Sequence, residues 1–484
     1  MEKAPYNKYE IVIGLEIHIQ LATESKAYCA DKNEYGSLPN SLTGPISLGH
    51  PGTLPVLNEK SVEFATKLGL ALGCDIRRDM HFARKNYFYA DLPKGYQITQ
   101  DDTPICSGGT VLIKNDAGEP IHINVTRIHM EEDSGKSTHD QDPIDTLIDL
   151  NRAGVPLLEI VSEPELRTPQ EAYNYVTEIR KLVRYLEICD GNMEEGSMRC
   201  DANVSVRIKG ENVLNTRSEV KNMNSIRNVY RAIEVEAVRQ VDLMESGGTV
   251  IQDTRNYDAV SNTTTSMRSK EFAHDYRYFP EPDLQPVFVS EEFIQNVQAH
   301  MPPLPNELFN KYTHTLNLSE YDAGVLTDSK PIALYFESLI QSTTNYKAAA
   351  NWLMGDIKSY LNNTASSIER FPIEPQRIAD LITIIDAGKI SSTIASQKVF
   401  PEMLRSSDSA ISIAEKLNLI QDSGEDEIQS IAQGIIDKWP DKVEAYRAGN
   451  KSLLGLFMGQ FMKESKGKAD PKKANQIIRE LLDK

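Results

Sequence analysis

Between Ile11 and Leu21 the chain alternates so regularly that it admits little but a β-strand. Leu15, Ile17, Ile19 and Leu21 share one face, and Glu16, His18 and Gln20 share the other. Such a strand lays its apolar side on a core and turns its polar side to solvent or a cleft. Further strands are expected over Ile121–Glu132, Leu157–Ser162 and Ala202–Ile208, where Asn203, Ser205 and Arg207 alternate with Val204, Val206 and Ile208. Helical spacing marks Glu59–Leu72, Pro169–Leu186 and Ser225–Glu245, the last closed by Gly247 and Gly248. These helices come singly between groups of strands. An α+β architecture therefore fits better than a strictly alternating, doubly wound sheet.

Near residue 285 the texture changes. Pro282, Pro286, Pro302, Pro303 and Pro305 crowd a boundary zone, and from Asn306 onward the pattern is helical. Short amphipathic helices are expected over Ala348–Leu361, Gln376–Asp386 and Ile390–Gln397, with a second break around Ser406–Asn418. The expected division is a mixed α/β domain over 1–290, a helical domain over 291–410 and a helical tail over 411–484. Three domains also suit 484 residues at roughly 150 per domain. The net charge of −18 argues against a uniformly basic nucleic-acid coat, although residues 451–484 carry eight Lys/Arg against four Asp/Glu. Five scattered cysteines, with no CxxC or CxC pair, argue against a disulfide framework or a four-cysteine zinc site. Met1–Lys8 has no apolar h-region, and no run of about 18 uncharged apolar residues occurs. A soluble cytoplasmic or organellar-matrix protein is expected.

The polar strand faces carry the candidate chemistry. Glu16 and His18 are two apart and point the same way. By spacing alone they are either an ordinary wet sheet face or part of a metal site. Glu131, Glu132 and Asp133 end another strand. Glu159 lies inside the apolar run 156–161, where an acid is costly unless paired or metal-bound. A salt bridge to Arg152 or Arg167 is the plain alternative. Carboxylates with one imidazole suit Mg²⁺ or Mn²⁺ better than zinc. The run from Arg84 to Gln97 mixes cations, aromatics and a Pro/Gly turn; it is either a phosphate- and base-holding loop or an aromatic surface loop. Cys200 has no histidine near it in sequence and reads as a small half-buried residue rather than a nucleophile. Gly108-Gly109 and Gly247-Gly248 lack the Lys-Ser/Thr of a P-loop, so any ATP site uses another scaffold.

Several long segments, in order, carry a family resemblance: YEIVIGLEIHIQL (9–21), RKNYFYADLPKGYQ (84–97), HMEEDSGKST (129–138), NRAGVPLLEIVSE (151–163), NMEEGSMRCDANVS (192–205) and MRSKEFAHDYRYFPEPD (267–283). With GKADP at 467–471 they resemble the B subunits of the glutamyl-tRNA(Gln)/aspartyl-tRNA(Asn) amidotransferases, of the bacterial or organellar type. No block like the inserted domain of the archaeal relatives is present. The resemblance implies a cradle domain, a helical domain and a small YqeY-like tail. It implies an ATP-dependent ligase: the side-chain carboxylate of a misacylated tRNA becomes an acyl phosphate, and ammonia displaces the phosphate. The ammonia comes from glutamine on a partner A subunit, and a small C subunit clamps the two. Carried over by motif, Glu16, His18, Glu132 and Glu159 are the expected catalytic metal ligands for Mg²⁺ or Mn²⁺. Glu132 is placed ahead of Glu131 as the second acid of its motif. Lys85, Tyr89, Lys94 and Tyr96 are expected around the nucleotide and the tRNA terminus. Alternation makes Asn203, Ser205 and Lys221 candidates for the ammonia route. Lys463, Lys466, Lys468, Lys472 and Lys473 are expected on tRNA phosphates, in salt-sensitive contacts without base specificity.

Two departures from the family pattern stand out. Many members carry a CxC and a CPxC pair; here those positions read Cys29-Ala30-Asp31 and Gly44-Pro45-Ile46-Ser47. One thiol cannot build a tetrahedral thiolate site, so no structural zinc is expected and packing or hydrogen bonds must hold that loop. Ala90 stands where proline is usual, which loosens the loop slightly. Two other readings compete. One is a non-catalytic tRNA-binding scaffold; the other is a stand-alone metal-dependent phosphotransferase acting on a small acid. The complete carboxylate and imidazole set argues against the first, and the helical region and basic tail have no use in the second.

Overall fold

The computed structural model describes residues 6–139, 141–269, 276–420, 425–465 and 471–483. The chain divides into two compact units, Met1–Leu304 and Pro305–Lys484. The first is built on a 13-stranded sheet. Its principal strands are β1 (Tyr9–Gln20), β2 (Ala83–Asn86), β3 (Tyr96–Thr99), β4 (Pro120–Glu132), β5 (Pro156–Ser162), β6 (Met198–Ile208), β7 (Ser218–Lys221), β8 (Asp253–Asp258) and β9 (Thr263–Ser269). In space they run β9-β8-β7-β6-β1-β5-β4-β3-β2. Every neighbouring pair in that order is antiparallel except β7 and β8.

β1 sits at the middle, and its alternation sets the two faces of the sheet. Ile13, Leu15, Ile17 and Ile19 are all within 1 % of complete burial. They join one apolar core with Ile128, Met130, Leu158, Ile160, Val204 and Val206 from the neighbouring strands. Three helices contribute to that core: α1 (Glu59–Leu72), α2 (Pro169–Tyr185) and α3 (Ile226–Glu245). Each starts where the sequence signals it. Asn58 caps α1 by accepting from Lys60 N, and Gly73 closes it at φ 70°. Thr168 and Ser225 cap α2 and α3 through their hydroxyls. β6 begins earlier than alternation alone suggested, at Met198, because Met198 and Cys200 pair with Ile19 and Ile17 of β1.

In the second unit the helix α4 (Pro375–Asp386) matches its expected span. The run 348–361 is not one helix. Tyr346–Trp352 and Lys358–Thr364 are joined by a wide π turn over Leu353–Ile357. A second π turn, Ala395–Val399, interrupts the helix expected from Ile390. Residues 406–418 contain a short helix, Ala410–Lys416, capped by Ser409. Toward the C-terminus α5 (Glu425–Lys438), α6 (Leu453–Glu464) and α7 (Pro471–Asp483) enclose a core of their own, with Ile428, Phe457, Phe461, Ile478 and Leu482 at its centre. Among the described residues no helix is long and apolar enough to cross a membrane.

Candidate active site on the polar face of the sheet

Strand register converts sequence-distant polar residues into neighbours. His18 on β1 lies opposite Glu159 on β5, and Glu159 lies opposite His129 on β4. Directly opposed residues project from the same face. Glu131, two residues beyond His129, joins them there. His18 Nε2 is 3.3 Å from Glu159 Oε2 and 3.8 Å from Glu131 Oε1. His129 Nε2 is 3.2 Å from Glu159 Oε2. Leu158 and Ile160, the apolar flanks of Glu159, are fully buried in the core on the other side. The acid thus escapes the apolar run by strand alternation, and its partners are two imidazoles rather than Arg152 or Arg167.

The electrostatics are those of a crowded acid–base cluster. Burial alone would depress His18, but Glu159, Glu131 and Asp201 overcome it and push the imidazole up to about 9. Burial acts to raise the Glu159 carboxyl, yet His18 and His129 hold it well below the usual range. The donor atoms of His18, Glu131 and Glu159 lie within 4.8 Å of one another. His129 Nδ1 is buried and has no hydrogen-bond partner among the described residues. Two carboxylates and an imidazole converging this closely fit a hard divalent cation such as Mg²⁺ or Mn²⁺.

Glu16 belongs to an adjoining triad. It lies opposite Asp201 of β6, and Asn203 lies opposite Glu219 of β7. Donor atoms of Glu16, Asp201 and Glu219 again fall within 4.8 Å. Lys221 pairs with Asp201 and, at 3.0 Å, with Glu219. Asn203 donates to Glu16 Oε1 at 2.8 Å. Burial, then the charge of Glu159, raises the Glu16 carboxyl. Of the residues considered for the ammonia route, Asn203 and Lys221 are therefore engaged with these acids. Ser205 borders a cavity of about 200 Å³ beside Glu16.

Glu132 is elsewhere. Being the next residue after Glu131, it faces the opposite side of the strand. Its carboxylate meets the Lys94 ammonium and accepts from Ile98 N at 2.9 Å. The structure thus puts Glu131, not Glu132, with His18 and Glu159. Lys85 shares the face of Glu131 by register, opposite Gln97, which is two residues from the Thr99 that pairs with Glu131; burial opposes its charge, but Glu131 and Glu159 hold its pKa above the ordinary value. Its ammonium stands 5.0 Å from the centre of the Tyr276 ring. Lys94 and Tyr96 sit on the Glu132 side, where the Arg84 guanidinium lies 4.2 Å from the Tyr96 ring centre. Tyr89 is more than half exposed, edge-on to Tyr87.

Lys463 on α6 and Lys473 on α7 are exposed. Lys472 lies in the first turn of α7, and Lys466 and Lys468 lie outside the described residues. Cys200 is buried, and desolvation drives its thiol pKa far up, which removes it as a nucleophile. The loop with one cysteine is tied by hydrogen bonds. Asp31 Oδ2 accepts from Gly44 N at 2.7 Å and from Ser47 Oγ at 2.5 Å, and Cys29 Sγ lies 3.4 Å from Ser47 Oγ. The sequence did not single out His129, Asp201 or Glu219, and it left Glu131 as one of three acids at a strand end, ranked behind Glu132. His129 and Glu131 are two apart on an expected strand, which was the available signal; the register that joins them to His18 was not.

Comparison with known proteins bears on the whole chain. A family model described as the GatB/GatE catalytic domain matches residues 11–295, and one described as the GatB domain matches residues 334–482. The B subunit of the aspartyl/glutamyl-tRNA(Asn/Gln) amidotransferase of Chlorobium phaeobacteroides (strain BS1) is 49 % identical over 475 residues, 98 % of this chain and 99 % of the relative. Its counterpart in Chlorobaculum tepidum is 50 % identical over the same shares. That of Trichlorobacter lovleyi is 49 % identical, again over 98 % and 99 %.

Proposed function

The chain belongs to the GatB/GatE family, and from that premise we propose that it works as the B subunit of a tRNA-dependent amidotransferase, with the polar sheet face as its synthetic site. It is a ligase that forms a carbon–nitrogen bond with glutamine as the nitrogen source. A carboxylate oxygen of the glutamyl or aspartyl group on the tRNA attacks the γ-phosphorus of ATP. The bond to ADP breaks and an acyl phosphate forms. Ammonia then attacks the acyl carbon, phosphate leaves with the C–O electron pair, and the nitrogen gives up a proton. A bare carboxylate would have to expel oxide, and phosphorylation removes that obstacle.

The observation that carries this proposal is the convergence of His18, Glu131 and Glu159, with Lys85 on the same sheet face by register. His18, Glu131 and Glu159 would hold Mg²⁺ or Mn²⁺, and Glu16, Asp201 and Glu219 are a second set of oxygen donors beside them. When bound, the ion supplies positive charge to the transferring phosphoryl group. Lys85 presents a cation to the same space, and the partly buried walls strengthen each of these interactions. The partners proposed are an A subunit that releases ammonia from glutamine, a C subunit, and misacylated tRNA(Gln) or tRNA(Asn). The helical tail contacts tRNA through its exposed lysines, and the enzyme works in the cytosol.

The test is reconstitution with A and C subunits on each misacylated tRNA, leaving out ATP, Mg²⁺ and glutamine in turn. Amide should form only with ATP and the divalent ion present, and added ammonia should replace glutamine. Glu159→Gln should abolish amide formation while tRNA still binds. Unimpaired amidation by that variant would leave the chain a scaffold.

A further inference from the structure

Beside the carboxylate clusters lies a cation that shares their charge field through Glu131 and Asp201 but has its hydrogen bond to a different acid. Arg199 on β6 stands directly opposite His18 on β1, so its side chain rises from the same face. Asp133 pins it by one edge: Arg199 Nη1 donates to Asp133 Oδ2 at 2.9 Å. Gln20 Nε2 donates to the same oxygen at 2.8 Å, and Ser134 N donates to Oδ1 at 3.0 Å. Asp133 itself is buried, with its main-chain N–H on Val155 O and its carbonyl on Gly154 N. Arg152 also approaches Asp133, at 3.7 Å. Its guanidinium, though, is spent on the carbonyls of Ser134 and Gly135, at 2.9 and 2.7 Å.

A guanidinium carries five N–H donors. Arg199 spends one on Asp133, and its others make no hydrogen bond among the described residues. Its side chain is 32 % exposed and borders a cavity of about 600 Å³ that also reaches Asp201, Asn222 and Asn224. An arginine held along one edge with the other edge free is arranged to grip a phosphoryl group by two parallel hydrogen bonds. A carboxylate-rich floor repels anions, so an anionic oxygen is best tolerated where this guanidinium faces it.

We propose that Arg199 binds a phosphoryl group of the nucleotide substrate, and that Asp133 is the positioning residue that aims it. The inference rests on the proposed ATP-dependent amidation. It adds a phosphate-gripping cation to the donor sets already described.

The experiment uses the reconstituted three-subunit enzyme, with ATP and misacylated tRNA varied separately. Loss of a charge-assisted hydrogen bond predicts that Arg199→Lys and Arg199→Gln raise KM for ATP about 10- to 100-fold. KM for tRNA should stay as in the wild type, while the melting temperature should fall modestly, because buried Asp133 loses its closest cation but keeps Gln20, Ser134 and Arg152. Asp133→Asn should raise KM for ATP in the same direction. Combined with Arg199→Gln it should add nothing further, because both act on one contact. An unchanged KM for ATP overturns the proposal. So does a rise confined to KM for tRNA, which would assign the bound oxygen to RNA. Additive effects, or a lowered melting temperature with unaltered KM, would make Asp133 merely structural and overturn its positioning role. If the wild-type assembly consumes no ATP with misacylated tRNA, it is the amidotransferase reading that fails.

Discussion

Glu131 and Glu132 are neighbours in the chain and serve opposite sides of one sheet. Glu131 faces His18 and Glu159, and Glu132 faces Lys94. Their substitutions should therefore separate cleanly. Glu131→Gln should weaken Mn²⁺ binding by at least the roughly 10- to 100-fold that loss of a supporting partner costs at metal sites. Glu132→Gln should leave Mn²⁺ affinity intact but destabilise the chain by about 3 kcal/mol, since it strands a nearly buried ammonium. Isothermal titration with Mn²⁺ and urea unfolding check the two halves; equal loss of Mn²⁺ binding in both variants would refute the assignment. At this scale the sequence was informative about side-chain type and incomplete about direction. Glu16 and His18 were legible as the polar face of an alternating strand, and Glu159 because it interrupts an apolar run. The choice within the acidic pair needed the register of β4 against β5, which sets Glu131 on the face of Glu159 and Glu132 on the other.

At the scale of elements, alternation and capping did most of the work. α1 runs over the span that its periodicity marks, and β4 and β5 fall within a residue of theirs. What periodicity could not give was a buried polar tie between elements. Glu236 on α3 is fully buried and pairs with Arg239 at 2.6 Å and Arg255 of β8 at 3.2 Å. It also accepts from Thr264 of β9 at 2.8 Å, which stitches helix to sheet edge. Burial acts to raise its carboxyl, but Arg239, Gln240 and Thr264 bring it below the ordinary 4.5. The linkage has a definite sign: the stabilisation is present above pH 4.5 and is lost as pH falls through the depressed folded value. Glu236→Ala should cost about 3 kcal/mol at neutral pH, with two cations left facing an empty site. Urea melts at pH 7 and pH 3 should show that difference shrinking in acid; a constant difference would remove the ionic explanation.

At the scale of the whole molecule, charge is divided unevenly. The net −18 sits with a C-terminal segment of opposite sign, and Lys463 and Lys473 are exposed on its helices. If these contact RNA phosphates, Lys463→Gln and Lys473→Gln should each lower the salt slope of tRNA binding by about one. The losses should be the same for every tRNA sequence. Filter binding across a salt series measures this, and an unaltered slope would take both lysines off the interface. By itself the sequence determined the central strands β1, β4 and β5, the helices α1, α2 and α3, and which residues of those strands share a face. Those properties are local, set by a period of two or 3.6 along a few residues. Only the tertiary structure decided that His18, Glu131 and Glu159 meet, that Glu16 joins Asp201 and Glu219 instead, and that Asp133 holds Arg199. Those meetings depend on hydrogen-bond register between strands far apart in sequence, and shifting a register by one residue would turn each side chain to the other face.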